Sequence, residues 1–140
     1  MSAHTDRVLS VLIVEDRPEV ADSTAELLDL CGHNCRVART GAEALAALVL
    51  QLPDVVLLDL GLPDMDGRAV ALEFRSRCRA PQPVLIAVTG RGSESDRRAS
   101  ADAGIDLHLV KPVEPSVLMS LLTHIRHILI GRPSGSEVPE

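Results

Sequence analysis

Short apolar runs alternate with amphipathic stretches along the whole chain. Five of these runs are rich in Val, Ile and Leu and have the length of a β-strand. They are Val8–Val14, Cys35–Ala38, Val55–Leu58, Val84–Val88 and Leu107–Val110. Each run is almost continuously hydrophobic, whereas a strand with one solvated face would alternate apolar and polar residues. The pattern therefore predicts strands that are buried on both faces of a parallel sheet.

Between these runs, apolar residues recur at helical spacing and predict five helices. The helical positions are Val20, Thr24, Leu27, Leu28 and Cys31; Leu45, Leu48 and Val49; Val70 and Phe74; the polar stretch Ser93–Ala103; and a last series from Val117 to Leu129. Strands that alternate with helices form right-handed βαβ units, which place helices on both sides of the sheet. The predicted fold class is α/β, a doubly wound parallel sheet.

The length of the chain, 140 residues, predicts a single domain. We expect a short N-terminal lead over residues 1–7, one folded unit over residues 8–130, and a flexible tail over residues 131–140, which are rich in Gly, Pro and Ser. We expect no domain before the first strand, no linker and no appended output module.

Composition narrows the classes of partner. Twenty acidic against fourteen basic residues give a net charge of −6, which disfavours direct binding to nucleic acid. The only aromatic residue among Phe, Tyr and Trp is Phe74, so the core must be aliphatic and there are no platforms for base stacking. Thirteen of the fourteen basic residues are Arg, and the one lysine, Lys111, therefore calls for an explanation.

The cysteines indicate a reducing compartment. Three cysteines without a secretory signal predict free thiols and a cytoplasmic protein. The segment Cys31-Gly-His33-Asn-Cys35 contains soft metal ligands, but its spacing fits a helix end and a strand start better than a zinc site. No apolar run approaches the ~20 residues that span a bilayer, so we expect no membrane association.

Polar side chains follow each predicted strand where it ends, with Arg39 and Thr40 after the second and chemically more competent groups after the other four. Ligands of open parallel sheets bind outside the carboxyl ends of the strands. The residues expected at this edge are Glu15 and Asp16 after the first strand, Asp59 after the third, Thr89 after the fourth, and Lys111-Pro112 after the fifth.

Three carboxylates at one edge would repel one another by about 4 kcal/mol per close pair at an effective dielectric near 20. A hard dication relieves this repulsion, and Mg²⁺ suits a site of carboxylates that also receives phosphate. A carboxylate can attack phosphorus and form an aspartyl phosphate. Lys111 would then neutralise the phosphoryl oxygens, and the Thr89 hydroxyl would donate a hydrogen bond to one of them.

These residues resemble a known family. The pair Glu15-Asp16, Asp59 within Leu-Leu-Asp-Leu-Gly-Leu-Pro-Asp-Met-Asp-Gly, Thr89, and the segment Ala-Gly-Ile-Asp-Leu-His-Leu-Val-Lys-Pro that ends at Pro112 are similar to the receiver domain of two-component response regulators. The similarity runs from about Val8 to Leu129. It implies a flavodoxin-like fold with five strands in the order 2-1-3-4-5 and five helices.

The resemblance also implies a function. Asp59 would accept a phosphoryl group from a histidine kinase or a histidine phosphotransfer domain. Mg²⁺ would be held by Asp16, Asp59 and the Gly61 carbonyl, with Glu15 helping through water, and Lys111 would pair with the phosphoryl group. Such a protein catalyses only its own phosphorylation and slow autodephosphorylation.

Signalling in this family implies a switch and an output surface. Thr89 would move toward the phosphoryl group, and the switch position, usually Tyr or Phe, holds His108, whose imidazole adds a group that titrates near neutral pH. A downstream protein would bind the face formed by Ser93–Ala103, Leu107–Val110 and Pro115–Leu129. The peptide bond between Lys111 and Pro112 is usually cis in this family. The sequence around these two residues is most similar to that of stand-alone receivers or of receivers in hybrid kinases.

Alternative interpretations remain at this point. An aspartate-nucleophile phosphohydrolase would need a second Asp where Gly61 stands, and a nucleotide-binding module would need a glycine-rich loop after the first strand. The segment Asp64-Met-Asp66-Gly67 resembles the start of a calcium loop but is better interpreted as a helix cap. Gly61 and Arg91 lie near the expected line of attack. The arginines Arg75, Arg77 and Arg79 are expected on a solvated face.

Overall fold

The computed structural model describes residues 8–79, 81–90 and 94–130. It contains one parallel sheet of five strands in the order β2-β1-β3-β4-β5, which confirms the predicted fold class and strand order. The strands are β1 (Ser10–Val14), β2 (Asn34–Ala38), β3 (Val55–Asp59), β4 (Val84–Thr89) and β5 (Leu107–Val110). The expectations for residues 1–7, Arg91 and residues 131–140 lie outside the described residues.

Five helices connect or follow these strands, as the periodicity predicts. They are α1 (Pro18–Leu30), α2 (Gly41–Leu50), α3 (Gly67–Arg77), α4 (Glu94–Asp102) and α5 (Pro115–Ile130). Cys31, which the apolar spacing assigns to α1, lies just beyond it as the C-terminal cap. Among the described residues, no helix is long and apolar enough to cross a membrane.

The side chains of each central strand divide into two hydrophobic cores because they alternate between the faces of the sheet. In β1, Val11 and Ile13 pack against α1 and α5, while Leu12 and Val14 pack against α2 and α3. All five residues of β3 are buried, in agreement with its continuous hydrophobicity. This alternation also decides which face of the sheet each strand-end side chain reaches.

The expectation of burial on both faces is wrong for the two outer strands. Only Ala38 is buried in β2, and no residue of β5 is buried. Both strands lie at an edge of the sheet, where one side has no neighbouring strand and the helices cover them incompletely. Their apolar composition therefore leaves Val37, Leu107 and Val110 exposed on the surface.

The cysteine-containing segment is part of the packing, as its interpretation as a helix end and strand start predicts. Burial raises the pKa of the Cys35 thiol to about 12, and burial followed by the charge of Arg126 lowers the pKa of His33. All three cysteines are free thiols. Within the described ranges, the segment contributes to no group of converging metal ligands.

Two aspartates fix the connection between β3 and α3. The Asp66 side chain accepts a hydrogen bond from the Arg68 amide and caps α3, as the sequence predicts. Asp64 instead caps a different helix: its two carboxylate oxygens accept hydrogen bonds from the amides of Gly41 and Ala42, at 2.8 and 3.0 Å. The connection that follows Asp59 is thereby tied to the N-terminus of α2 as well as to α3.

Arg75 contradicts its assignment to a solvated face. Its guanidinium donates hydrogen bonds to the carbonyls of Gly104 and Pro83 at 2.9 and 2.8 Å, to Gln82 at 3.0 Å, and to the Asp106 carboxylate at 2.8 Å. Asp106 also accepts a hydrogen bond from the Leu85 amide. Arg75 thus joins the end of α3 to the start of β4 and to the α4–β5 turn, which a helical pattern alone does not reveal.

We predict that Arg75→Lys lowers the free energy of unfolding by about 1–3 kcal/mol, because a single ammonium cannot span four acceptors on two segments. The matched control is Arg77→Lys, since Arg77 is exposed and pairs only with Glu73 on its own helix among the described residues. Urea unfolding measures both variants. Equal stability of the two would show that the Arg75 contacts contribute nothing beyond a surface ion pair.

Candidate functional site

The strand ends bring three charged side chains to the same side of the sheet. Glu15 follows Ile13 by two residues, Asp59 follows Leu57 by two, and Lys111 follows Leu109 by two. Because side chains alternate along a strand, all three continue the rows that face α1 and α5. Glu15, Asp59 and Lys111 accordingly line one common cavity.

Lys111 forms the electrostatic centre of this group. Its Nζ lies 3.3 Å from Oδ2 of Asp59 and 3.8 Å from Oε1 of Glu15. The other carboxylate oxygen of Asp59 accepts a hydrogen bond of 3.0 Å from the Gly61 amide. The peptide bond between Lys111 and Pro112 is cis. The lone lysine therefore stands between two carboxylates, where a compact ammonium can contact both.

The two carboxylates are almost completely buried: Glu15 is 4% exposed and Asp59 is 5% exposed. Burial raises the pKa of the Glu15 carboxyl, and the charge of Asp59 adds to the rise, while the Arg17 amide and Lys111 oppose it. Two buried acids facing one lysine leave an excess of negative charge. A buried acid whose pKa is raised and that faces a charged partner is typical of functional sites.

Asp16 completes a group of three acids that could hold a metal ion. One carboxylate oxygen from each of Glu15, Asp16 and Asp59 can be chosen so that all lie within 4.8 Å of one another. The donors are hard oxygens, and such a set fits Mg²⁺ better than a thiophilic metal. Asp16 is only partly buried, so a bound cation would remain open to water and to a further ligand on that side.

Thr89 and His108 lie on the other face of the sheet. Thr89 is at the end of β4, and the Lys111 amide donates a hydrogen bond of 2.8 Å to its carbonyl. His108 is the register partner of Ala87, which belongs to the core under α2 and α3. Thr89 and His108 are therefore half-buried residues on the same face of adjacent strands. Thr89 is linked to Lys111 by this hydrogen bond, and His108 precedes Lys111 by three residues in the chain.

A cavity of about 640 Å³ extends from the charged group toward the layer of α1 and α5. Its walls include Val20 and Thr24 of α1 and Leu118 of α5. Sequence reasoning missed this cavity, because the volume left between two helices depends on their separation. The only signal in the sequence was the scarcity of aromatic side chains. The one phenylalanine, Phe74, lies in the core on the opposite face of the sheet.

Comparison with known proteins identifies a family match over most of the chain. The family model described as "Response regulator receiver domain" matches residues 11–123. The response regulator MprA of Mycobacterium sp. strain KMS is 36% identical over 130 residues, which are 93% of this chain and 54% of that protein. The transcriptional regulatory protein KdpE of Mycobacterium tuberculosis is 39% identical over 102 residues, 73% of this chain and 44% of that protein. The chain spans about half the length of these curated relatives.

Solved structures agree with the sequence comparison. A CheY-like response regulator receiver domain protein from Methanospirillum hungatei is 30% identical, with a TM-score of 0.79 over 87% of this chain and 96% of that one. A putative response regulator from Chloroflexus aurantiacus is also 30% identical, with a TM-score of 0.79 over 86% and 99% of the two chains. Both similarities cover nearly the whole of the other chain.

We predict that Lys111→Met lowers the free energy of unfolding by about 1–3 kcal/mol in the presence of a chelator, because two buried carboxylates then face each other without a cation. Saturating Mg²⁺ should restore much of this loss. Arg17→Met is the control, since it removes an exposed cation two residues from Glu15. If Lys111→Met and Arg17→Met were equally stable in the chelator, Lys111 would not compensate the buried acids.

Proposed function

The chain belongs to the response regulator receiver family, whose members accept a phosphoryl group, and we propose that Asp59 is the acceptor in this chain. The observation that carries the proposal is the contact of 3.3 Å between the buried Asp59 carboxylate and Lys111. The lysine places a positive charge directly beside the buried carboxylate, and an ionised carboxylate is the nucleophile that this reaction needs.

Asp59 and Lys111 would have different roles in phosphoryl transfer. An Asp59 oxygen attacks phosphorus, the bond between phosphorus and the donor breaks, and the donor leaves with the bonding electrons. Lys111 neutralises charge on the phosphoryl oxygens, and the Gly61 amide, which donates to Asp59, holds the orientation of the carboxylate. Burial of Asp59 excludes bulk water from its side chain and limits the directions from which a donor approaches.

We further propose that Asp16, Asp59 and the Gly61 carbonyl hold Mg²⁺, with Glu15 contributing through water. The convergence of the three carboxylates supports this assignment, since it gathers negative charge that Lys111 alone does not balance. When bound, Mg²⁺ would supply the remaining positive charge needed to bring a phosphate dianion next to these acids.

The donor would be the phosphohistidine of a histidine kinase or a histidine phosphotransfer domain, and the output would be a change in protein contacts. Thr89 would move toward the phosphoryl group, and His108 would respond on the adjacent strand. The surface of β5 and α5 supports a downstream partner there, because its described residues expose five large apolar side chains: Leu107, Val110, Val117, Met119 and Ile128.

A phosphohydrolase is less well supported. Turnover of a phosphoester needs an acid that protonates the leaving group, and the residue two positions after Asp59 is Gly61, which has no side chain. We therefore propose that the chain acts only on its own phosphoryl group, through phosphorylation and slow autodephosphorylation, and that residues 8–130 form the unit that does so.

We predict that acetyl phosphate with Mg²⁺ adds one phosphoryl group, about 80 Da, to the intact protein. Asp59→Asn should abolish the addition because the amide lacks the nucleophilic charge. Intact-protein mass spectrometry measures both. The control is Asp22→Asn, an identical chemical change on the exposed surface of α1, which should label like the wild type.

Labelling of Asp59→Asn at the wild-type rate would place the acceptor elsewhere. Steady release of phosphate from a small phosphoester over many turnovers would favour the phosphohydrolase instead.

We predict that Lys111→Arg impairs the response to phosphorylation although it keeps the charge. The guanidinium is larger and planar, and it cannot take the place of an ammonium between two buried carboxylates. The measurement is the difference in hydrogen exchange of β5 and α5 with and without beryllofluoride, which mimics the phosphoryl group. An unchanged difference in Lys111→Arg would contradict the requirement for a compact cation.

A further inference from the structure

The connection between β3 and α3, residues 60–66, carries Gly61 and is held at its two ends by backbone hydrogen bonds. The Leu60 amide donates a hydrogen bond of 3.2 Å to the Val88 carbonyl of β4, and the Gly67 amide donates one of 3.2 Å to the Leu60 carbonyl. Between these two points, the hydrogen bonds that the described residues make to another element are those of Asp64. The geometry of the stretch that contains Gly61 therefore depends on Asp64.

The N-terminus of α2 is capped by two different segments of the chain. Its own cap, Thr40, accepts a hydrogen bond of 3.0 Å from the Glu43 amide. The amides of Gly41 and Ala42 donate instead to the two carboxylate oxygens of Asp64, and these bonds lower the pKa of Asp64. The positive end of the helix dipole also favours a carboxylate at this place. Asp64 is thus an ionised group that is bonded through both oxygens to a helix that precedes it by more than 20 residues.

The connection and α2 also lie in close contact. A side-chain carbon at Gly41 would overlap Cγ of Met65 and would lie 2.9 Å from Cγ2 of Val70 in α3. Met65, the residue after Asp64, therefore lies directly against the backbone of α2. Glycine at position 41 permits this close approach, and the Asp64 hydrogen bonds hold it in place.

The chain between Asp64 and Gly61 is stiff. The ring of Pro63 fixes its φ, and Leu62 is restricted to extended conformations because it precedes a proline. A displacement of Asp64 is therefore transmitted along the chain to Gly61 and is not absorbed between them. The Gly61 amide donates the hydrogen bond of 3.0 Å to Asp59, so the displacement reaches the proposed acceptor.

We propose that Asp64 is a positioning residue for the phosphoryl site: it anchors the connection to α2 and so holds the Gly61 amide against Asp59 and the Gly61 carbonyl where Mg²⁺ would bind. The proposal rests on the proposed function for the roles of Asp59 and Gly61. Asp64 touches no reacting atom and acts through the backbone of Gly61. Outer partners of metal ligands contribute about 10–100-fold in metal affinity or activity, and we expect the lower end for a residue that acts along the chain.

The experiment compares Asp64→Ala with Thr40→Ala, which removes the other cap of α2 and leaves the Asp64 hydrogen bonds in place. NMR titration measures the dissociation constant of Mg²⁺, and hydrogen exchange in a chelator measures the protection of the Gly61 amide. Asp64→Ala should weaken Mg²⁺ binding about tenfold, accelerate exchange of the Gly61 amide, and slow labelling by acetyl phosphate at a fixed Mg²⁺ concentration. Thr40→Ala, with a comparable loss of stability in urea, should keep all three near the wild type.

A double-mutant cycle with Pro63→Gly tests the route through the chain. Glycine at position 63 keeps the Asp64 hydrogen bonds but lets the chain bend between Asp64 and Gly61. Asp64→Ala should therefore cost much less Mg²⁺ affinity in the Pro63→Gly background than in the wild type. Additive effects of the two substitutions would contradict transmission through Pro63 and overturn the positioning role.

The other outcomes separate this proposal from the proposed function. Mg²⁺ affinity and labelling that are unchanged in Asp64→Ala overturn the positioning role and leave Asp59 as the acceptor, as does a Thr40→Ala variant that weakens Mg²⁺ binding equally. If Asp64→Ala does not fold, Asp64→Asn, which keeps one carbonyl acceptor, should show a smaller change in the same direction, and no change overturns the role. Absence of labelling in the wild type overturns the proposed function itself, while Mg²⁺ affinity and Gly61 exchange still decide the role of Asp64.

Discussion

The pairing of Lys111 with two buried carboxylates is the interaction on which the site depends. Parallel strands deliver Glu15, Asp59 and Lys111 to one edge because the residue two positions earlier in each strand packs under α1 and α5. Without the ammonium, two acids with less than a tenth of their surface exposed would repel each other at short range. The excess of acid over base that remains is the physical reason for the Mg²⁺ that we propose here, whose charge would also attract phosphate.

Much of this arrangement could be predicted from the sequence, because strand periodicity determines both the sheet and the ends of its strands. The family motifs then placed Asp59 and Lys111 together, and the structure brings them within 3.3 Å. Arg75 was misjudged, since its acceptors lie just before β4 and on the α4–β5 turn, and spacing within one helix carries no information about them. The cavity that α1, α5 and the sheet line was not predicted for a similar reason. Its volume depends on the separation of the two helices, which no single residue determines.

The residues of the proposed site and those of the proposed switch lie on different faces of the sheet. The layer of α1 and α5 borders the acids, Lys111 and the cavity, where chemistry is proposed. Thr89 and His108 belong to the other face, so a change at the site must pass through the sheet to reach them. The hydrogen bond from the Lys111 amide to the Thr89 carbonyl is a short route for this, because it joins the end of β4, with the proposed switch residue Thr89, to Lys111 of the proposed site.

Gly104 and Arg75 occupy one shared space. Gly104 has a φ of +92°, and a side-chain carbon there would lie 2.7 Å from Cγ of Arg75. Two positions that are 29 residues apart therefore limit each other's size. Any larger residue at 104 would displace the arginine from its four acceptors, so its effect would appear in α3 and β4 as well as in the turn. In a set of related sequences, a substitution at either position can be interpreted only together with the residue that occupies the other position.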